Sequence, residues 1–177
     1  MSEYVVLSGV GPDKPGIARA ISGAAFNAGC SIEDSRMAVL GGEFAILVLI
    51  EGEAAAVSGF SASLPELEKE TGLSLSIRPT AEKTGYKVKE GIPYELTVVG
   101  MDRTGIVFRV TELLARFGVN IDNLETEASN APVTGTPMFR MVLDAEIPGE
   151  VPLKKLRAEL AELCDELNMD ISLEARS

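Results

Sequence analysis

Residues 10–34, VGPDKPGIARAISGAAFNAGCSIED, lie without a gap on residues 99–123, VGMDRTGIVFRVTELLARFGVNIDN. Val10, Gly11, Asp13, Gly16, Ile17, Gly29 and Ile32 meet identical residues at Val99, Gly100, Asp102, Gly105, Ile106, Gly118 and Ile121, while Lys14 meets Arg103 and Glu33 meets Asp122 with charge preserved. Self-similarity of this length means that one structural unit is built twice. The chain of 177 residues therefore divides into 1–80, a linker at 81–91 that is polar and contains glycine, and 92–177. Modules this small have marginal cores. They are expected to pack together or to dimerise.

Within each half the hydrophobic period changes in the same order. YVVLSGV, rich in β-branched residues, reads as a strand. Ile17, Ala20, Ile21, Ala24, Ala25 and Ala28 then fall at helical spacing, closed by Gly29. CSIEDSRMAVL and EFAILVLI flank Gly41-Gly42 as a tight hairpin. Val57, Phe60, Leu64 and Leu67 mark a second helical stretch, which Pro65 is expected to split into two short helices, and LSLSIRP reads as a fourth strand. The second half repeats the order: IPYELTVVG; a helix through Ile106, Val110, Leu113, Leu114 and Phe117; strands at 120–129 and 138–146; a helix through Leu153, Leu156, Leu160, Leu163 and Leu167; and MDISLEA. The apolar stripes are core faces. The expected fold class is α+β: two β-α-β-β-α-β, ferredoxin-like units, each an antiparallel sheet with helices on one face.

Composition narrows the chemistry. The sequence holds no histidine and two cysteines, Cys30 and Cys164, one in each half. A disulfide framework, a Cys/His zinc site and a Ser/His or Cys/His nucleophile therefore have no basis, and both cysteines read as small buried fillers. No metal and no cofactor are expected. A net charge of −11 and no basic stripe with interleaved aromatics argue against direct nucleic-acid binding. The longest apolar run, FAILVLI, is far short of a membrane span, and the N-terminus has no signal-peptide pattern. A soluble, cytoplasmic protein with no membrane partner is the expectation.

The repeated turn, DKPG and DRTG, starts a helix whose first backbone N–H groups lack intrahelical partners. Such a terminus attracts a carboxylate or phosphate, and glycine permits close approach. Asp13 or Asp102 beside it can accept hydrogen bonds from an ammonium group, which together suits a free α-amino acid. The competing reading is that both aspartates cap their helices. Neither G-x-G-x-x-G nor G-x-x-x-x-G-K-[ST] is present, which disfavours a nucleotide. ASNAPVTGTP, 128–137, is an insertion that the first half lacks; it is either functional or a cover for a sheet edge.

A strand followed by D-x-x-G-I, a helix, and G-x-N-I entering the next strand, here DRTGIVFRVTELLARFGVNI, resembles the ACT domain, an amino-acid-sensing regulatory module. Two such modules filling the chain, with TGTPMF at 134–139, are similar to the glycine cleavage system transcriptional repressor group. The resemblance implies side-by-side association through sheets and ligand binding near the first strand-helix turn. It points to Asp13, Gly16, Ile17 and Ser31 in the first copy and Asp102, Gly105, Ile106 and Asn120 in the second. Asn120 can donate and accept at once, whereas Ser31 stands in its place in the first copy.

The reading that follows is a non-enzymatic sensor of an amino acid, glycine or serine, acting on a protein regulator as a homodimer or an intramolecular pair of modules. Two alternatives stay open. One is a ligand-free interaction module, since sheet association and ligand binding use one scaffold. The other is the regulatory remnant of an ACT-containing enzyme such as a formyltetrahydrofolate deformylase.

Overall fold

Alternation along Ser2–Pro12 (β1) sends Val5 and Leu7 to one face and Tyr4, Val6, Ser8 and Val10 to the other. That first face becomes the core. In the computed structural model, which describes residues 2–81 and 91–176, β1 is followed by a helix Ile17–Ala28 (α1), strands Ser31–Leu40 (β2) and Glu43–Glu53 (β3), a helix Ala54–Thr71 (α2) and a strand Ser74–Thr80 (β4). The sheet order is β2-β3-β1-β4 with every pair antiparallel. Each helix thus links strands separated by another strand, the split βαβ arrangement.

The second unit repeats this with Gly91–Met101 (β5), Ile106–Arg116 (α3), Asn120–Asn130 (β6), Pro137–Pro148 (β7), Leu153–Leu167 (α4) and Met169–Ala175 (β8), in sheet order β6-β7-β5-β8. The described residues form two compact units. The expected linker, 81–91, lies almost wholly outside the described residues.

Each unit has its own core. In the first, Phe44, Ile46, Val48 and Ile50 of β3 meet Ile17, Ile21 and Ala25 of α1 and Val57, Phe60 and Leu67 of α2. In the second, Met141, Leu143 and Ala145 of β7 meet Val110 and Leu114 of α3 and Leu156, Leu160 and Cys164 of α4. Each fully buried large side chain contributes about 1.5–3 kcal/mol by its removal from water.

Two elements depart from the sequence pattern. Pro65 lies inside one continuous α2 instead of dividing it. Phe60 and Leu67, 0% and 4% exposed, anchor the helix on both sides of the proline, whose own ring is exposed. Packing outweighs the single backbone bond that proline removes. The loop expected at 128–137 is shorter, because Ala128 to Asn130 continue the ladder against Phe139 to Pro137 and leave 131–136 as the connection. In the first unit Gly41 and Gly42, φ 61° and 89°, make a two-residue turn whose twist matches its strands.

The duplicated glycines at the ends of β1 and β5 have a shared cause. A Cβ on Gly11 would stand 2.6 Å from the Gly72 carbonyl oxygen and 3.0 Å from Leu73 Cα. One on Gly100 would stand 3.0 Å from the Asn168 carbonyl oxygen and 3.1 Å from Met169 Cα. Gly72 and Asn168 are the left-handed residues that end α2 and α4. Strand and helix end therefore touch backbone to backbone.

Gly11→Ala is expected to lower unfolding free energy by about 1–3 kcal/mol. Gly23→Ala, in mid-helix with open space around the new methyl, should raise it by about 0.5–1 kcal/mol. Urea unfolding of the two variants checks the opposite signs.

Candidate functional site

Both helices after the repeated turn begin at a left-handed glycine: Gly16 has φ 98° and Gly105 φ 93°. A side chain there meets no steric obstacle, since nothing lies within 4 Å of either ideal Cβ. The glycines answer to backbone conformation, and the space before each helix is open. Neither helix start carries a side-chain cap. The first-turn N–H groups of α1 and α3 therefore point into that space, with the positive end of the helix dipole behind them.

Asp13 and Asp102 do not cap these helices. Their backbone N–H groups donate instead to the carbonyls of Gly42 and Pro137, each at 3.0 Å. Each bond ties the turn to the connection between the second and third strands of its module, and both aspartate side chains stay exposed beside the glycine. These carbonyls were not legible as partners in sequence, where 29 and 35 residues separate the bonded groups (42 − 13 and 137 − 102).

The two turns differ in their surroundings. Lys14 Nζ donates to the Glu70 carbonyl at 2.7 Å, a cation at the C-terminal end of α2. At the second turn the neighbouring connection is the 131–136 loop, braced by Ala131 N–H to the Thr136 carbonyl at 2.9 Å and Gly135 N–H to the Ala131 carbonyl at 2.8 Å. Thr134 and Thr136 hydroxyls meet at 2.8 Å, and Val133 is 96% exposed at the tip.

Ile17 and Ile106 are not ligand-facing side chains. They are 2% and 1% exposed and belong to the cores; only their backbone N–H groups are available to the turn. Ser31 and Asn120 begin β2 and β6 and are exposed, with Asn120 Nδ2 donating to Asp122 Oδ1 at 3.1 Å. They stand far from the turn of their own module. Register puts Ser31 opposite Glu51 and thus level with Tyr4, while Pro12, next to Asp13, is level with Glu43. Likewise Asn120 is level with Pro93, whereas Met101 precedes Asp102. Eight strand residues span about 26 Å. One module does not bring its aspartate and its Ser31 or Asn120 together.

Two concavities among the described residues lie on the helix layers. A groove of about 610 Å³ between α1 and α2 has a floor of small residues including Ala20, Gly23, Ala24 and Gly59. Its counterpart between α3 and α4, about 440 Å³, is crossed by ion pairs from Arg109 to Glu166 and Arg116 to Glu159. Neither is lined by a candidate site residue. These pairs are solvent-exposed enough to contribute little stability.

Cys164 is buried, and Cys30 is half-buried against the first core instead of fully enclosed. Burial raises the Cys30 thiol pKa. Burial, then Asp165 and Asp170, pushes the Cys164 thiol up to about 11. Among the described residues no group of three or more Cys, Asp or Glu side chains is placed to hold a metal, and no helix is long and apolar enough to cross a membrane.

The ACT domain family matches twice, over residues 3–78 and 94–163. A glycine cleavage system transcriptional repressor of Escherichia coli (strain K12) is 26% identical over 170 residues, 96% of this chain and 88% of that protein. A crystal structure of a protein of unknown function from Galdieria sulphuraria superimposes with TM-score 0.84 at 34% identity, covering 100% of both chains. Another, assigned provisionally as a glycine cleavage system transcriptional repressor, gives TM-score 0.74 at 25% identity, covering 100% of this chain and 99% of that one.

Gly105→Ala should cost about 1–2 kcal/mol through left-handed strain alone, read by thermal or urea unfolding. Thiol labelling of the native protein near pH 8 should modify Cys30 well before Cys164, because burial bars the reagent from Cys164 and its higher pKa leaves less of it as reactive thiolate. Peptide mapping during the reaction gives the order.

Proposed function

We infer that this chain, which belongs to the ACT-domain family as two modules in tandem, is a non-enzymatic amino-acid sensor that acts in the cytoplasm on a transcriptional regulator through protein contact. The observation that carries the reading is the uncapped helix start, made twice by a left-handed glycine with an exposed aspartate beside it. Donors for a carboxylate and an acceptor for an ammonium group stand together there. Open space at the glycines suits a ligand as small as glycine or serine. Similarity to glycine cleavage repressors supports regulation as the output. The net charge of −11 favours a protein over DNA as the target.

Because Asp102 and Asn120 stand at opposite ends of one sheet, they can share a ligand only when they come from different modules. Association is therefore part of the proposal. The edge strands β2 and β6 each have a neighbouring strand on one side only, which leaves the other side for it. The same separation favours the second reading, an interaction module without a ligand, in which the turns serve only the fold.

Calorimetric titration with glycine and serine separates the two. A sensor gives heat that Asp102→Ala and Asn120→Ala each abolish while circular dichroism is unchanged. Heat retained by both variants, or no heat and no thermal shift with any proteinogenic amino acid, sinks the proposed site.

A further inference from the structure

The helix-free faces of the two sheets have diverged. On the second sheet Glu95, Asp144 and Glu174 on neighbouring strands share that face, with Glu125 and Glu127 on β6. Acidic groups dominate it, around Val142, Thr97 and Val99 at the centre and the single cation Arg140 beside Val99. On the first sheet the centre of the same face is more apolar: Val6 of β1 lies opposite Leu49 of β3 and Val10 opposite Ala45, with Leu47 opposite Ser8 between them. Val10 is 55% and Leu47 51% exposed. An apolar centre on an open sheet in a protein this acidic is a surface that association would cover.

We propose that this face binds the same face of a second copy of the chain, sheet against sheet. Two properties point to that occupant. The first is charge placement. Asp34, Leu49, Val6 and Arg78 form one row across β2, β3, β1 and β4. Opposite charges therefore end the row on opposite edges. A two-fold axis along the strands lays one sheet on its copy with the edges exchanged. Each Arg78 then comes over an Asp34, twice per interface, with the apolar centre between them. Asp34 already pairs with Arg36 at 2.7 Å within the chain, and Arg36, one row on, comes opposite Ser76 of the β4 edge. Isologous contacts require this self-complementarity.

The second property is size. Four strands at about 4.8 Å spacing and about 8 residues long make a face of roughly 500 Å² per copy, so the pair buries on the order of 1,000 Å². That meets the lower bound of a specific interface. Sheets facing each other pack at about −30° and about 10 Å apart, a distance that leucine and valine side chains fill. The inference does not depend on the ligand reading.

Sedimentation of the full chain tests it. Leu47→Glu, at a half-exposed position, should halve the assembled mass while circular dichroism and thermal midpoint stay put. Arg78→Glu should weaken association by about tenfold or more, and Met101→Glu, on the helix-free face of the second sheet and 48% exposed, should leave it unchanged. Should Leu47→Glu misfold, Arg78→Glu decides alone. A monomeric wild-type chain, or Leu47→Glu and Arg78→Glu chains that assemble as tightly as wild type, overturns the proposal.

Discussion

Each module closes where the end of its first strand meets the end of its second helix, backbone against backbone. Gly11 sits against Gly72 and Leu73, and Gly100 against Asn168 and Met169. This contact brings the last strand alongside the first: β4 pairs with β1 from Val10 back to Tyr4, and β8 with β5 from Gly100 back to Tyr94. It also sets where the following turn leaves the sheet, and hence where the uncapped start of α1 or α3 opens to solvent. In the first module Lys14 adds a bond from that turn to the end of α2. The core and the candidate site therefore depend on a contact that any added side chain would crowd.

Much of this was legible in sequence because it is local. Helix stripes, the Gly41-Gly42 hairpin and the alternation of β1 follow from neighbours a few residues apart, and duplication supplied a second, independent copy of each signal. Pro65 misled for the same reason. Its effect on one backbone bond is local, whereas the anchors that override it, Phe60 and Leu67, act through the folded core. The ladder that shortens the 128–137 loop likewise depends on pairing with Phe139 to Pro137, which residue types at 128–130 do not announce.

The candidate site was half legible. Its turn, with Asp, Gly and a helix start, is contiguous in the chain, and the left-handed Gly16 and Gly105 stand at the helix starts that the spacing predicts. Its supposed partners at Ser31 and Asn120 follow α1 and α3, and a helix running back along its sheet returns the chain to the opposite end. Ile17 and Ile106 illustrate a second limit: a residue adjacent to an open glycine can still direct its side chain wholly into the core. The backbone bonds from Asp13 to Gly42 and Asp102 to Pro137 join segments whose proximity exists only after the sheet forms.

The strand order has a consequence for synthesis on the ribosome. β1 is flanked by β3 and β4, the last two strands of its module to be made, and never by β2, the first to follow it. Until Glu53 has left the exit tunnel YVVLSGV lacks both of its neighbours, and until Thr80 has left it one side of the strand still has no partner. Local pairing can form only the β2-β3 hairpin, so the nascent module stays open through most of its translation. The second module repeats this interval with β5 waiting for β7 and β8. Cotranslational folding of this chain is thus expected to proceed in two late steps, one per duplicated unit, with a vulnerable, edge-exposed stage before each.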